Sequence, residues 1–433
     1  MSHVPHPRRA LLVWGVGVAA YVVAICNRSS FGVATIEVRE LFGVSSALIA
    51  SMAVAQLVVY AALQIPVGVL LDRYGPRVLV GTGALVMAAG QAVLALAPAA
   101  GWVLAGRVLV GAGDALTFVS VVRLVPAWFA PRHVPVLTQL TGSIGQLGQV
   151  LSAIPVVALL HAEGWRTTFL WVAAVGVLAA VLALAVLRDA PPVSEIDPAA
   201  PPGDRVGFLA RLRAASAAPR DPGALRAVLA EPGTRLAFWM HFSGQFSNHV
   251  VVLLWGYAFF VEGEGRTPAE ASALLTLNVV AGVVAGPVIG ALVGRRPRLR
   301  MPLAIGTVLA IGAVWLAVLV PSAPVPWPVL GVFVVVVAVG GPISLVSFDV
   351  ARSSNPMSRL GTATGFVNTG GFIGAFVTML LIGLVLDRVG GGVRDLGAFR
   401  AALVCVVLPW VVGLVGMLHG ARVLRRRHPG IDL

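Results

Sequence analysis

The sequence predicts an all-α integral membrane protein with twelve transmembrane helices in two six-helix bundles. Three observations support this prediction: the composition, the length of the apolar stretches, and short sequence motifs that recur in the two halves of the chain. Of the 433 residues, 58% are hydrophobic and only 11% are charged, and the mean hydropathy is +0.92. A soluble chain of this length would need many more polar residues to cover its surface.

The apolar residues fall into stretches of about 20, the length that crosses a hydrocarbon core about 30 Å thick. The stretches are continuous, and this favours helices over the alternating pattern of a membrane β-barrel. The predicted spans lie near residues 11–36, 46–70, 77–97, 101–125, 134–160, 166–187, 236–261, 268–293, 300–320, 327–351, 358–386 and 398–421.

The basic residues indicate which side of the membrane each loop occupies. All 31 are Arg, and the formal net charge is +13. With the N-terminus inside, 23 of them fall on the cytoplasmic side. Six fall outside, with Arg400 at the outer end of the last span among them, and two, Arg28 and Arg107, lie within spans. This asymmetry follows the positive-inside rule, so the charge reflects topology and not nucleic-acid binding. All-Arg usage with much Ala, Val and Gly suggests a GC-rich bacterial genome, and we expect an inner-membrane protein with both termini cytoplasmic.

The one extended polar segment divides the chain near its middle. Residues 188–235 are rich in Pro, Ala, Asp and Arg. They predict a cytoplasmic linker between an N-terminal six-helix bundle, 1–187, and a C-terminal six-helix bundle, 236–433.

The two halves repeat each other at corresponding spans, which indicates duplication. The loop that begins at Gly68 recurs at Gly290, an offset of 222, and the pair Thr141-Gly142 recurs as Thr364-Gly365, an offset of 223. Two parallel halves of this kind would enclose a cavity at the midplane of the membrane.

The loop between spans two and three carries the pattern G-x-x-x-D-R-x-G-x-R, formed by Gly68, Asp72, Arg73, Gly75 and Arg77. Gly68 permits close helix packing and Gly75 permits a turn. We expect Asp72 to pair with a nearby Arg or to face a helix N-terminus, and so to favour one conformation of a gate. The alternative is ordinary loop charge on the inner face.

This loop resembles the signature of the major facilitator superfamily at every fixed position. The resemblance implies the major facilitator fold, transport by alternating access, and a latch in which Arg123, at the inner end of span four, is the partner of Asp72. The copy in the second half has Gly294 in place of the acid.

Three ionisable residues lie within the spans of the first half: Arg28 in span one, and Arg107 and Asp114 in span four. Such groups cost about 2.5–3.5 kcal/mol at bilayer depth, so they face a cavity or a partner. With a rise of about 1.5 Å per residue, Arg28 and Arg107 lie about 7 and 9 Å above the midplane. Two guanidinium groups at similar depth predict an anion clamp. Asp114 lies about 10 Å from Arg107, too far for direct pairing.

The segments around these charges are similar to the anion:cation symporter family over most of residues 20–170. The matching segments are Asn27-Arg28-Ser-Ser-Phe-Gly-Val-Ala, Gly106-Arg107-(x)6-Asp114, Arg123-Leu-Val-Pro-Ala-Trp128-Phe129-Ala-Pro131 and Gly164-Trp165-Arg166. The resemblance implies that Arg28 contacts the substrate anion and that Arg107 takes part in coupling. It also implies that Asp114 takes the place of the family's proton-coupling carboxylate. The family commonly has Asp at the position of Asn27 and Glu at that of Asp114. The alternative is a permanent Arg–Asp network that holds spans one and four together.

Polar residues on three other spans would line the cavity and suit a polar substrate. The candidate substrate contacts are Gln146 in span five, Gln245 and Asn248 in span seven, and Asn368 in span eleven. The alternative for each is a hydrogen bond between helices. His is the side chain that ordinarily changes charge near neutrality, so His241 and His249 in span seven are candidates for such a change, with packing as their alternative role.

These observations favour secondary active transport of a small organic anion, a carboxylate, by proton symport. Alternatives are proton-coupled efflux of drugs or natural products, facilitative transport of a neutral or zwitterionic solute such as a dipeptide or sugar, and a membrane receptor or scaffold. The sequence has no P-loop, no metal-ligand spacing and no nucleophile elbow, so we expect neither an enzyme nor a cofactor. The expected partners are a small-molecule substrate, protons and the lipid bilayer, with no nucleic acid, and we expect a monomer.

Overall fold

The computed structural model describes residues 7–191, 223–390 and 395–427, and the chain in these ranges is helical, without a strand. The α-helices are numbered α1 to α17 in chain order. In the first half they are α1 Pro7–Ser29, α2 Thr35–Phe42, α3 Ser46–Ala95, α4 Ala100–Ala115, α5 Phe118–Trp128, α6 Val134–Gly145, α7 Leu147–Leu151 and α8 Val157–Val186.

In the second half the helices are α9 Ala224–Ala230, α10 Pro232–His249, α11 Gly256–Ala258, α12 Pro268–Arg295, α13 Arg300–Leu319, α14 Trp327–Ser354, α15 Leu360–Gly390, α16 Leu396–Leu403 and α17 Val407–Arg427. Two π-helical segments, Val250–Trp255 and Phe259–Gly263, continue α10 and α11. A third, Ser152–Val156, joins α7 to α8.

Nine helical stretches among the described residues are long and apolar enough to cross a membrane. Two of them, Ser51–Ala95 with 45 residues and Val134–Val186 with 53, are at about 1.5 Å per residue more than twice as long as a hydrocarbon core. Each bends at a glycine, Gly75 with φ 79° and Gly164 with φ 75°, in a region of φ that favours glycine. Each therefore holds two predicted spans.

The seventh predicted span is the exception to this apolar character. It corresponds to the helical stretch from Pro232 to Gly263, which is more polar because it carries residues such as His241 and Gln245. With this stretch the helices account for the twelve spans, and the prediction of an all-α membrane protein is confirmed.

The chain forms two compact units. The first comprises Met1–Val134, Thr141–Leu225 and Met357–Gly365, and the second comprises Pro135–Leu140, Arg226–Pro356 and Phe366–Leu433. The predicted bounds of the two bundles and the linker stay a prediction, and most of the linker, 192–222, lies outside the described residues.

The first unit depends on close packing of α3 against α4. A Cβ atom at Gly106 would lie 2.8 Å from the carbonyl oxygen of Gly90, and one at Gly113 would lie 2.5 Å from that of Gly83. Only glycine allows the two backbones to approach this closely. These contacts fix the depth and the rotation of α4 in the bundle.

The second unit has an aromatic core and a buried ion pair near one end. Phe246, Phe259, Phe333 and Phe399 are among its fully buried residues. Glu264, which follows the second π-helical segment, pairs with Arg400 of α16, with 3.2 Å between Oε1 and Nη2.

This ion pair also holds the chain between α13 and α14. Oε2 of Glu264 accepts a hydrogen bond from Val325 N at 2.7 Å. Arg400 donates to the carbonyl oxygens of Pro321 and Ala323. The sequence alone places Arg400 among the outer loop charges, so its burial is a finding of the structure.

Candidate functional site

Each of the two charges of α4 directly follows a glycine that packs against α3. Arg107 comes next to Gly106, and Asp114 comes next to Gly113. The glycines therefore set the position from which both side chains reach α1. Arg107 is 2% exposed and Asp114 is 1% exposed.

Arg28 and Asp114 form a bidentate ion pair. Arg28 Nε lies 2.6 Å from Asp114 Oδ2, and Arg28 Nη2 lies 2.9 Å from Asp114 Oδ1. The guanidinium group also lies over the ring of Tyr60 in α3, at 5.0 Å from its centroid. Such a geometry combines two charge-assisted hydrogen bonds with a cation–π contact.

Within this ion pair, the Arg28 side chain is partly exposed. The Arg28 side chain is 26% exposed, whereas Asp114 is enclosed. Among the described residues, Nη1 of Arg28 has no hydrogen-bond partner, since Asp114 occupies only Nε and Nη2. One donor group of a fixed cation is therefore available to a solute.

Arg107 lies behind Arg28 and contacts its backbone. Arg107 Nη2 donates to the carbonyl oxygen of Arg28 at 3.0 Å, and its guanidinium group lies 4.5 Å from the ring centroid of Phe31. Because Arg107 is enclosed in this conformation, it positions Arg28 and does not present its own charge beside it. The predicted anion clamp requires two adjacent, open guanidinium groups. Of the two in this site, only that of Arg28 is open.

Asn27 and Gln91 complete the surroundings of Arg28. Asn27 Nδ2 donates to Val23 O at 2.8 Å. Gln91 Nε2 donates to Asn27 O at 3.0 Å and to Ser30 Oγ at 3.2 Å. Asn27 is thus turned toward its own helix.

Several buried polar atoms around this site have no hydrogen-bond partner among the described residues. They are Asn27 Oδ1, both amide atoms of Gln56, Gln91 Oε1, and Arg107 Nε and Nη1. Unpaired polar atoms of this kind are rare in folded proteins and mark sites with a functional or structural role. Gln56 and Tyr60 are polar residues four apart in an apolar span, a spacing that is visible in the sequence.

Gln146 lies where α6 meets α7, and accepts a hydrogen bond from Gln149 Nε2. The glycines on either side pack against α1, since a Cβ atom at Gly148 would lie 2.7 Å from Cys26 N. Gln146 therefore belongs to the first unit, on a helix that packs against the helix of Arg28.

The other predicted substrate contacts, Gln245, Asn248 and Asn368, lie in the second unit. Gln245 bonds to His249 and to Ser344, with 2.8 Å between Gln245 Nε2 and His249 Nε2. Asn248 is partly buried and Asn368 is buried. The structure therefore joins Gln245 to its neighbours in the same unit, and the role of all three in substrate binding stays a prediction.

The predicted latch residue Asp72 binds a helix N-terminus. It accepts hydrogen bonds from Gly361 N at 2.6 Å, Thr362 N at 2.7 Å and Thr362 Oγ1 at 2.7 Å. These donors are at the start of α15, in the segment Met357–Gly365 that packs in the first unit. The helix N-terminus, one of the two expected partners, is the one observed.

Arg123 is close to this contact but forms no ion pair with Asp72. Its Nη2 donates to the carbonyl oxygen of Met357 at 2.8 Å. The expected Asp72–Arg123 pair is therefore replaced by two separate contacts with the same segment.

The remaining loop residues hold the turn between the two spans of α3. Gly68 packs on the start of α15, where a Cβ atom would lie 2.9 Å from Thr362 Cα. Gly75 makes the bend. Arg77 donates to the carbonyl oxygen of Leu184 and, through its backbone N, to Asp189 Oδ1 at 2.9 Å. Arg73 lies over the ring of Tyr74.

Replacing Asp72 with Asn is expected to destabilise the protein by about 1–3 kcal/mol, because charge-assisted hydrogen bonds to the start of α15 are lost. The thermal unfolding midpoint in detergent measures this effect. The matched control is Asp387→Asn, since Asp387 is exposed on α15. Equal behaviour of the two variants would contradict the capping role.

The described residues hold no group of three or more His, Cys, Asp or Glu side chains that could bind a metal ion.

A sequence model of the Major Facilitator Superfamily matches residues 17–379. The "Probable L-galactonate transporter" of Escherichia coli strain K12 is 26% identical over 162 residues, 37% of this chain and 36% of that protein. The "Probable sulfoacetate transporter SauU" of Cupriavidus necator is 24% identical over 180 residues, 42% of either chain. The chain thus matches well under half the length of these relatives.

A solved structure, the proton:xylose symporter XylE bound to 6-bromo-6-deoxy-D-glucose, is similar in fold. The TM-score is 0.70 at 14% identity, over 95% of this chain and 96% of that one. At this identity the likeness concerns the fold alone.

Proposed function

This chain belongs to the major facilitator superfamily, a family of membrane transporters and not of enzymes, and on that basis we propose that it carries a small organic anion, a carboxylate, by alternating access coupled to proton symport. The observation that carries the proposal is the ion pair of Arg28 and Asp114, open at Arg28 and closed at Asp114.

The open side of Arg28 supports anion binding. An Arg at membrane depth is costly in contact with lipid, so we expect its exposed part to face water. A carboxylate would bind first at Nη1 and would then compete with Asp114 for Nε and Nη2. Arg is suited to this exchange because it stays charged and binds carboxylates through two parallel hydrogen bonds.

The enclosure of Asp114 supports proton coupling. When a substrate carboxylate takes over the guanidinium group, Asp114 loses its cation partner in a buried site. A buried carboxylate without such a partner favours its neutral form and takes up a proton. Anion and proton would then be bound together, and neither would be stable at the site without the other.

Arg107 and the unpaired polar atoms around it support the same site. Arg107 holds the Arg28 backbone and would couple movement of α1 to α4. The amide groups of Asn27, Gln56 and Gln91 offer unpaired atoms that a hydroxylated solute could satisfy. Gln146 in the first unit, and Gln245, Asn248 and Asn368 in the second, are proposed as further substrate contacts.

The solutes in the names of the two relatives, L-galactonate and sulfoacetate, are both organic anions. This supports an anionic substrate for the present chain. We further propose a monomer in a bacterial inner membrane with both termini in the cytoplasm, in agreement with the asymmetric distribution of Arg. The latch would comprise Gly68, Asp72, Arg73, Gly75, Arg77 and Arg123, with Asp72 releasing the start of α15 during the cycle.

A thermal-shift screen of organic anions against the purified protein tests the substrate class. A ligand at 100 times its dissociation constant should stabilise the protein by about 2.7 kcal/mol. We expect one or more carboxylates to do so, and the effect to vanish in the double variant Arg28→Gln/Asp114→Asn, which leaves neither charge unpaired.

The control for this screen is Arg166→Gln, because Arg166 is an exposed residue of α8. The control variant should keep the full shift. A shift that persists in the double variant would place the anion elsewhere, and a shift produced only by neutral sugars or dipeptides would reject the anionic substrate.

A further inference from the structure

The second unit carries a basic surface at one end, where α12 ends, α13 begins and α17 ends. On the proposed topology this end faces the cytoplasm. The two segments that form the surface, 294–300 and 420–427, contain no Asp or Glu. The basic surface consists of seven exposed Arg residues: Arg295, Arg296, Arg298, Arg422, Arg425, Arg426 and Arg427.

The two groups of Arg lie at the same depth, because α13 and α17 pack against each other. Trp410 Nε1 donates to Val308 O at 2.7 Å, and a Cβ atom at Gly312 would lie 2.6 Å from Trp410 Cε2. Arg300 comes 12 residues before Gly312, which is about 18 Å along α13. Arg422 comes 12 residues after Trp410, which is about the same distance along α17.

A chain of contacts at this end joins the start of α13 to the end of α17. Arg300 Nη1 donates to Ser353 Oγ at 3.1 Å. The next residue of α14, Ser354, packs against Gly233 at the start of α10. A Cβ atom at Gly233 would also lie 3.8 Å from Leu424 Cδ1 of α17. The two groups of Arg therefore belong to one surface.

The acidic side chains at this end are too few to neutralise the basic surface. Asp349 is 4% exposed and is already bound by Arg352, with 2.8 Å between Nη2 and Oδ1. Its other oxygen lies 3.4 Å from Arg300 Nη2. Glu231 accepts a hydrogen bond from Gly233 N at 3.4 Å. The remaining acids among the described residues of the second unit lie toward its opposite end.

The corresponding loop of the first unit binds its charges within the protein. It has Asp72 where the second unit has Gly294. Arg77 donates to the carbonyl oxygen of Leu184, and its backbone N donates to Asp189 Oδ1 at 2.9 Å. Both loops satisfy the positive-inside rule. Topology therefore does not explain why the second unit keeps an uncompensated basic surface.

The two helices beside the basic surface expose apolar side chains toward the middle of the membrane. They are Leu309 and Leu316 on α13, and Val411, Val412 and Val415 on α17. A phospholipid has the same order of parts, since its acyl chains lie in the hydrocarbon core and its phosphate lies at the boundary. Guanidinium groups bind phosphate oxygens through two parallel hydrogen bonds.

We propose that the basic surface binds anionic phospholipid, with Arg of the α12–α13 loop and Arg at the end of α17 both contacting the phosphate groups. Clusters of about four to eight basic residues directly beside a transmembrane helix attract anionic lipids. Seven exposed Arg on two neighbouring elements fit this description. The site is separate from the pair of Arg28 and Asp114, which lies in the first unit.

Native mass spectrometry of the purified full-length protein, titrated with phosphatidylglycerol or with phosphatidylcholine, tests this site. We expect the protein to retain phosphatidylglycerol in preference, because only this headgroup carries a net negative charge. Arg295→Gln/Arg296→Gln and Arg425→Gln/Arg426→Gln should each weaken phosphatidylglycerol binding about tenfold. Both variants should leave phosphatidylcholine binding unchanged. Their thermal unfolding midpoints in neutral detergent should equal that of the parent protein, because the replaced side chains are exposed.

The matched control is Arg8→Gln/Arg132→Gln, which removes two exposed Arg from the first unit on the same proposed side of the membrane. It should keep the full preference for phosphatidylglycerol. Equal weakening in the control and in the two variants would reduce the effect to general membrane charge and overturn the proposal. Unchanged binding in both variants would also overturn it, since the lipid would then lie elsewhere.

Soluble glycerol phosphate distinguishes a lipid from a free phosphate compound as the occupant. It should not displace phosphatidylglycerol at equal concentration, because it lacks the acyl chains that contact α13 and α17. Displacement at equal concentration would assign the basic surface to a soluble phosphate compound and overturn the proposal.

Asp114→Asn should leave lipid binding unchanged. The lipid site can therefore fail or hold independently of the proposed transport site.

Discussion

Replacing Arg28 with Gln is expected to cost about 3–5 kcal/mol of stability, because removal of one partner leaves an unpaired charge in a buried ion pair. Asp114 is 1% exposed, and among the described residues its carboxylate accepts hydrogen bonds from Arg28 alone. The single variant should therefore unfold at a markedly lower temperature in detergent and should lose anion binding.

The double variant Arg28→Gln/Asp114→Asn separates the structural part of this loss from the functional part. With both charges removed, we expect most of the stability to return, because a neutral pair avoids the cost of burying an unpaired charge. Anion-dependent stabilisation should stay absent. A double variant as unstable as the single one would show that Asp114 is not the group left unpaired by the loss of Arg28.

Replacing Glu264 with Gln is expected to have an effect of similar size, about 3–5 kcal/mol, because the Arg400 guanidinium group would remain buried without its carboxylate. Glu264 Oε2 also accepts from Val325 N, and an amide nitrogen at that position would oppose a second donor. The thermal unfolding midpoint measures the change, with substrate binding at the first unit left intact.

Glu262→Gln is the matched control, since Glu262 is two residues away and exposed. It should leave the unfolding midpoint nearly unchanged. A double-mutant cycle of Glu264→Gln with Arg400→Gln isolates the pairwise energy. Independent, additive losses in that cycle would contradict the view that these two residues stabilise the end of the second unit as a pair.

The sequence was sufficient for the fold because apolar length and the position of Arg depend on the membrane alone. Twelve stretches long enough to cross a bilayer, with Arg mostly at one set of ends, leave little choice of architecture. The family resemblance rested on a short loop, and the family match over residues 17–379 confirms it.

The site was harder to predict, because a residue number gives depth along a helix but not the direction of the side chain toward another helix. Arg28, Arg107 and Asp114 were found by their charge, and Asp114 was correctly judged too far from Arg107 to pair with it. That Asp114 instead binds Arg28, while Arg107 lies behind it, depends on the close contacts of Gly106 and Gly113 with α3. Those contacts cannot be deduced from the composition of the chain or from the spacing of residues along one helix.

Partners far apart in the chain were missed for the same reason. Asp72 binds the start of α15, 289 and 290 residues away, and Glu264 binds Arg400, 136 residues away. In the sequence Arg400 looks like an ordinary loop charge. The neighbouring residues do not distinguish an Arg that folds inward from one that faces water.

The most direct test of the account is the simultaneous uptake of anion and proton by the protein in liposomes. For a carboxylate identified by the thermal-shift screen, we expect an imposed inward proton gradient to accelerate uptake and the anion to bring protons with it into unbuffered vesicles. Asp114→Asn should abolish both the acceleration and the proton signal. Uptake that is indifferent to the gradient and to Asp114→Asn would contradict proton coupling through the Arg28–Asp114 pair.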